Sequence, residues 1–222
     1  MAVPGGPVGV VSWSSGCRRL AAAGTILVLG AAGWGCAETP SGPRALTELP
    51  RELTAAEQEV VREGNRFAFD FFREADRIDG DGNIFLSPLS ASMALGMTMN
   101  GARGATLHEM RAVLGFEDLE LQPVNESYRG LMGLLLGLDR GVDMRIANSI
   151  WYRRAFPFDE PFFQTARDYF DAEVRGFDLV EGDREVINAW VDRATNGKIP
   201  TIIDRIGDEH VMFLINAIYF KG

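Results

Sequence analysis

The chain closes on HVMFLINAIYFKG, residues 210–222, where ten of the eleven positions from Val211 to Lys221 are uncharged. A strand half in water alternates apolar with polar side chains. An unbroken apolar run of this length predicts a strand covered on both faces, deep in a sheet. Within it Asn216 is the one amide, and a polar side chain in such a strand demands a partner.

Outward from that strand the hydrophobic period alternates between two values. In VDMRIANSIWYRR (142–154), Val142, Met144, Ile146, Asn148, Ile150 and Tyr152 fall on one face, which predicts a strand of about ten residues or more. A helix over Pro161 to Phe170 and a short strand through AEVRGFDL (172–179) follow. A second helix, Asp183 to Thr195, turns Ile187, Trp190, Val191 and Ala194 to one side and is stopped by Asn196 and Gly197. Toward the N-terminus, order begins at Leu53. Thr54 and Glu57 form a capping box for a helix with Val60, Val61, Gly64, Phe67, Ala68, Phe71 and Phe72 at helical spacing. A short strand, Ile84 to Leu86, precedes a helix apolar nearly all round, with Ser87 as N-cap and Pro88 at its first position. Thr106 and Glu109 box a third helix ending at Leu114 before Gly115, and a fourth runs from about Asn125 to Leu138. Helices first and long strands later predict an α+β fold, and there is no internal repeat.

At 222 residues, 46% hydrophobic and 24% charged, the composition is that of a globular protein able to bury a core. Arg18 and Arg19 are the only charged residues among the first 36, which leaves 20 basic against 31 acidic side chains in residues 37–222. That balance argues against nucleic acid or a heparin-type polyanion as partner, because either needs a basic footprint. Residues 1–35 have the layout of a secretory signal, basic then apolar then small, with an apolar stretch too short for a comfortable membrane span. Export is expected, to the extracellular space, the periplasm or a lipid anchor on a bacterial envelope. Cys36 is the lipidation candidate: Gly35 fits the position before it, whereas Trp34 and Gly33 depart from such sites. Residues 36–52 read as a proline-rich tether and 53–222 as the folded domain. Cys17 and Cys36 are the only cysteines, so the domain has no disulfide framework and no thiolate metal site.

Catalytic constellations find little support. Histidine is present only as His108, in the middle of a helix, and His210, just before the last strand, and no serine sits in a Gly-x-Ser-x-Gly elbow. Asp79, Asp81 and Asn83 open like a calcium loop, but Ile84 and Ser90 stand where its glycine and bidentate glutamate belong. GARGA (101–105) lacks the lysine and spacing of a phosphate loop. The aromatic clusters at 67–72 and 162–170 are at helical spacing, which favours core packing over a ligand box. No metal, cofactor or catalytic residue is predicted.

Three segments together resemble the serpin family. NIFLSPLSASMALGMTMNGARGAT (83–106) looks like its sixth B strand entering helix B, INAWVDRATNGKIPTIID (187–204) like helix F and the following turn, and FLINAIYFKG (213–222) like the third strand of sheet A. The resemblance covers residues 53–222 and implies the N-terminal portion of the fold: helices A to F, sheet A strands 1, 2 and 3 and the first B-sheet strand. The remaining strands and the reactive-centre loop, with its scissile bond and small-residue hinge, would lie beyond Gly222. By the same resemblance Ser87, Ser90 and Asn216 match the family's shutter cluster, with Ser87 serving as N-cap as well. Helix D offers only Arg129 to a polyanion, which argues against heparin activation. The implied activity belongs to a full-length form, an irreversible inhibitor of serine or cysteine proteases that inserts its cleaved loop into sheet A. The 222-residue chain alone would not inhibit. The alternatives are a non-inhibitory serpin-fold binding module at the cell surface and, well behind it, a secreted hydrolase.

Overall fold

A computed structural model describes residues 47–79 and 82–222. The leader, Cys36 and most of the tether lie outside the described residues, as do Gly80 and Asp81 of the acidic loop. The elements are α1 (Ala55–Asp79), α2 (Pro88–Met99), α3 (Gly104–Leu114), α4 (Leu121–Gly137), β1 (Asp143–Arg153), α5 (Glu160–Phe170), β2 (Ala172–Phe177), α6 (Asp183–Ala194) and β3 (Met212–Lys221). The strands form one sheet in the order β2-β1-β3, with β1 parallel to β2 and antiparallel to β3.

Two apolar layers cover this sheet. Ile146, Ile150 and Tyr152 of β1 and Met212 and Leu214 of β3 meet the core built by α1 to α5, which includes Phe67, Met93, Met97, Tyr128, Phe163 and Phe170. On the other face Trp151, Phe213 and Ile215 meet Ile187, Trp190 and Val191 of α6. The apolar run is thus packed on both faces over Met212 to Ile215, whereas Phe220 near its end is 67% exposed, and the alternating face of β1 points at the helical layer.

Local chemistry sets most element ends. Ser87 accepts from the Ser90 N–H as N-cap of α2, and Gly115 (φ 78°) and the Asn196–Gly197 pair (φ 52° and 77°) end α3 and α6 in the left-handed region. Three boundaries differ from expectation. α3 starts at Gly104, with Arg103 at the N-cap position and no side-chain cap, so Thr106 sits inside the helix rather than at its head. α4 begins at Leu121, before Asn125, because Pro123 in a first turn forfeits an N–H that has no intrahelical acceptor anyway. Residues 84–86 form no strand: no described segment gives them a ladder, and Phe85 is 98% exposed.

The centre of the helical layer is a ring stack. Tyr128 lies edge-on to Phe116 (6.2 Å) and tilted on Phe170 (5.3 Å), and its hydroxyl donates to the Ser92 carbonyl at 3.0 Å. Burial pushes its phenol well above the ordinary range. Its ring lies against bare backbone on α2, since a Cβ at Gly96 would stand 2.7 Å from Tyr128 Cε2.

The head of α1 is an ion-pair cap that reaches into the expected tether. Glu57 accepts from Arg51 at 2.7 and 2.6 Å and from the Thr54 N–H at 2.8 Å, while the Glu57 N–H returns to Thr54 Oγ1 at 3.1 Å. Arg51 first, with the Thr54 N–H adding to it, holds the buried Glu57 carboxyl below the usual carboxylate range. A depressed folded-state pKa stabilises above the unfolded-state value and stops doing so as pH falls through the folded-state value. Glu57→Gln is therefore expected to be less stable than the parent by about 0.5–2 kcal/mol at pH 7. The difference should close as the pH is lowered below the ordinary glutamate range. Thermal melts of both proteins across pH 7 to 3 check this, and a constant gap would contradict it.

Candidate functional site

A chain of polar side chains crosses the otherwise apolar interior beneath the sheet. Asn148 and Asn216 stand directly opposite in the β1–β3 register. Asn216 Nδ2 donates to Asn148 Oδ1 at 2.7 Å, and Asn148 Nδ2 donates at 2.7 Å to the Phe170 carbonyl at the end of α5. From α2, Ser90 Oγ donates to Asn216 Oδ1 and lies 3.3 Å from the Asn216 backbone oxygen. The first turn of α2, strand β3, strand β1 and the last turn of α5 are joined by these bonds. Asn148 is only 2% exposed, so its bonds replace water that cannot reach it.

The structure brings Ser90 and Asn216 together and leaves Ser87 out. Ser87 is exposed and caps α2 by accepting from the Ser90 N–H at 3.4 Å; it makes no side-chain bond to Asn216 among the described residues. Asn148 was overlooked as a site residue. The signal was present, since it is the one polar side chain among the apolar positions of its face, the same feature that singles out Asn216.

Beside this cluster, β3 has no neighbour on its outer side among the described residues. Two grooves run along that edge. One, of about 410 Å³, is lined by Phe85, Ser87, Ser90 and Ile202 together with Leu214, Ile215 and Asn216 of β3. The second, of about 820 Å³, lies between residues 202–205 and Met212 to Ile215. A long apolar strand edge of this kind is a template for pairing with another segment.

No catalytic arrangement accompanies it. His108 is exposed on α3. His210 closes a turn by accepting the Gly207 N–H on Nδ1 at 3.0 Å, with its ring over Phe213 at 5.1 Å. No cluster of three or more metal-ligating side chains occurs among the described residues. Arg129 of α4 sits over the Tyr169 ring, 5.6 Å from its centre.

A family model described as "Serpin (serine protease inhibitor)" matches residues 62–222. This chain belongs to the serpin family. It is 32% identical over 170 residues to bovine leukocyte elastase inhibitor, covering 74% of this chain and 44% of that protein. It is 35% identical over 146 residues to rat neuroserpin, covering 64% of this chain and 36% of that protein. Among solved structures it resembles latent tengpin, a thermophilic serpin, with a TM-score of 0.68 and 33% identity over 77% of this chain and 45% of tengpin. It also resembles human thyroxine-binding globulin, with a TM-score of 0.68 and 26% identity over 75% of this chain and 46% of that one. The chain thus spans less than half the length of the relatives it matches. Its elements are an N-terminal portion of the serpin fold: α1 to α6 are helices A to F, β3 is the third strand of sheet A, and β1 and β2 are two further strands of that sheet. Serpins are for the most part protease inhibitors rather than enzymes.

Proposed function

We propose that this serpin is the N-terminal portion of a protein whose full-length form inhibits a serine or cysteine protease irreversibly. In that form an exposed loop is cleaved, the protease stays acylated, and the loop enters sheet A along β3 before water completes the reaction. Serpin loop insertion is itself a standing example of strand addition and of strain released by cleavage. The observation that carries the reading is the family match over residues 62–222, together with the Ser90–Asn216–Asn148 bonds at the middle of β3. We assign those three residues to the shutter through which the sheet opens. A buried hydrogen-bonded pair across two strands resists their separation until the incoming strand offers new partners.

The 222-residue chain is not itself inhibitory in this reading. Residues 1–35 direct export, residues 36–52 tether the domain, and Cys36 takes a lipid that holds it at the membrane. Nucleic acid and heparin-type polyanions are not partners, consistent with the acidic balance and with the single arginine of α4.

The second reading, a non-inhibitory binding module, is favoured by the likeness to human thyroxine-binding globulin, whose structure was solved with a bound ligand. The genomic frame after the Gly222 codon separates the two. An exposed loop with a hinge of small residues is expected, and the protein made from it should form an SDS-stable complex with a serine or cysteine protease. A hinge of bulky or charged residues and no such complex would select the binding module.

A further inference from the structure

Apart from the grooves along β3, a cavity of about 310 Å³ opens between the end of α2 and the heads of α3 and α5. Its size falls at the lower end of the roughly 300–1,000 Å³ of small-molecule pockets. Met110 of α3, Phe158 and Phe162 at the head of α5, and Met212, the first residue of β3, give it an apolar lining. Phe162 is buried in the helical core and Met212 packs against that core, so the lining is backed by the interior of the domain.

Charge is confined to the mouth. Asp159 lines the cavity yet is exposed, and its carboxylate accepts from the exposed Arg103 at 3.1 Å. These two residues hold the N-cap positions of α5 and α3, and neither helix has a side-chain cap. An aspartate there ordinarily accepts from the first-turn N–H groups of its own helix. Asp159 is drawn off to Arg103 instead. The first turns of both helices therefore border one opening, each with the positive end of its dipole and with N–H groups that no side chain satisfies. Glu160, the next acid along, is held by Arg167 at 2.7 Å.

An apolar interior with a guanidinium and two helix heads at its mouth complements a molecule with an apolar body and one negative end. A cation would meet Arg103, and an uncharged molecule would leave the mouth unused. We propose that this cavity binds a small alkyl carboxylate, its chain among Met110, Phe162 and Met212 and its carboxylate on Arg103. The ligand takes the place of Asp159, which is then released to cap α5. Arg103 is thus the recognition residue and Asp159 the competitor that holds the empty site closed. The reading is independent of loop insertion, although a bound chain reaches the first residue of β3.

The test titrates sodium octanoate, sodium hexanoate and octanol, each below the concentration at which it self-associates, into the 222-residue chain labelled at its methionine methyl groups. Binding is read by NMR. Met110 and Met212 are expected to shift saturably with octanoate, while Met132 of α4, outside the lining, holds still. Octanoate should bind about tenfold or more tighter than octanol, which lacks the charge-assisted bond. It should also bind about tenfold tighter than hexanoate, which buries two fewer methylenes. Arg103→Gln should bring octanoate down to the level of octanol, whereas Asp159→Asn should tighten it about two- to fivefold by removing the competitor. Ala102→Leu, which places a larger side chain in the lining, should abolish the shifts. Weaker binding in both Arg103→Gln and Asp159→Asn would mean that the ion pair only holds the helix heads in place, and would overturn the proposal. Equal affinity for octanoate and octanol overturns the carboxylate assignment. Shifts at every methionine, Met132 included, mark surfactant action and overturn the site, as does the absence of a saturable shift at Met110 and Met212.

Discussion

Asn148→Leu is expected to lower the unfolding free energy by about 1–3 kcal/mol, because it strips the Phe170 carbonyl of a buried partner and breaks the bond to the half-buried Asn216 amide. Leucine fills a similar volume, so packing loss is small. What remains is the Phe170 carbonyl, on a fully buried residue, and the half-buried Asn216 amide, which keeps its contact to Met93 Sδ at 3.6 Å. A buried polar group deprived of its partner costs about 1–3 kcal/mol. Asn216→Leu alone should cost less, since Ser90 retains the Asn216 backbone oxygen as an acceptor and Asn148 keeps its bond to Phe170. The double variant should be less destabilised than the two single losses combined, because each single variant already breaks the shared bond. Urea denaturation of the four proteins supplies the cycle. Additive losses would show that the two amides are not energetically coupled.

Phe170→Ala is expected to cost about 3–5 kcal/mol, the range for removing a fully buried ring. Phe170 is 0% exposed and its ring centre lies 5.3 Å from that of Tyr128, so its loss leaves a cavity that α4 cannot collapse into without moving Tyr128 off Ser92. The second readout is spectroscopic. Burial is what raises the Tyr128 phenol, so opening a cavity beside it should bring its ionisation down toward that of ordinary tyrosine. An alkaline absorbance titration unchanged from the parent would mean that water does not reach the ring and that the cavity closes.

What was legible in the sequence was what is fixed locally. Ser87–Pro88, Gly115 and Asn196–Gly197 act on the residue beside them, and the alternation from Val142 to Tyr152 needs only its own strand. Thr106–Glu109 misled because Gly104, at φ 58°, lets the helix begin earlier without a side-chain cap. Ile84 to Leu86 has the composition of a strand, but a ladder needs a second segment. In the site, Ser90 and Asn216 were reachable through the family resemblance. Asn148 was marked only as the one amide on the apolar face of its strand; its pairing with a residue 68 positions further on is set by the β1–β3 register.

The β1–β3 register has a consequence in time. A ribosome adding about 5–20 residues per second takes roughly 3–14 s to travel from Asn148 to Asn216. Over that interval β2 can dock on one side of β1, while the other side waits with an unanswered amide. When β3 arrives, a slip of one residue would turn Asn216 onto the α6 face and every neighbouring side chain with it. The amide pair is therefore completed in only one alignment, so the newborn chain carries its own check that β3 has been laid down correctly.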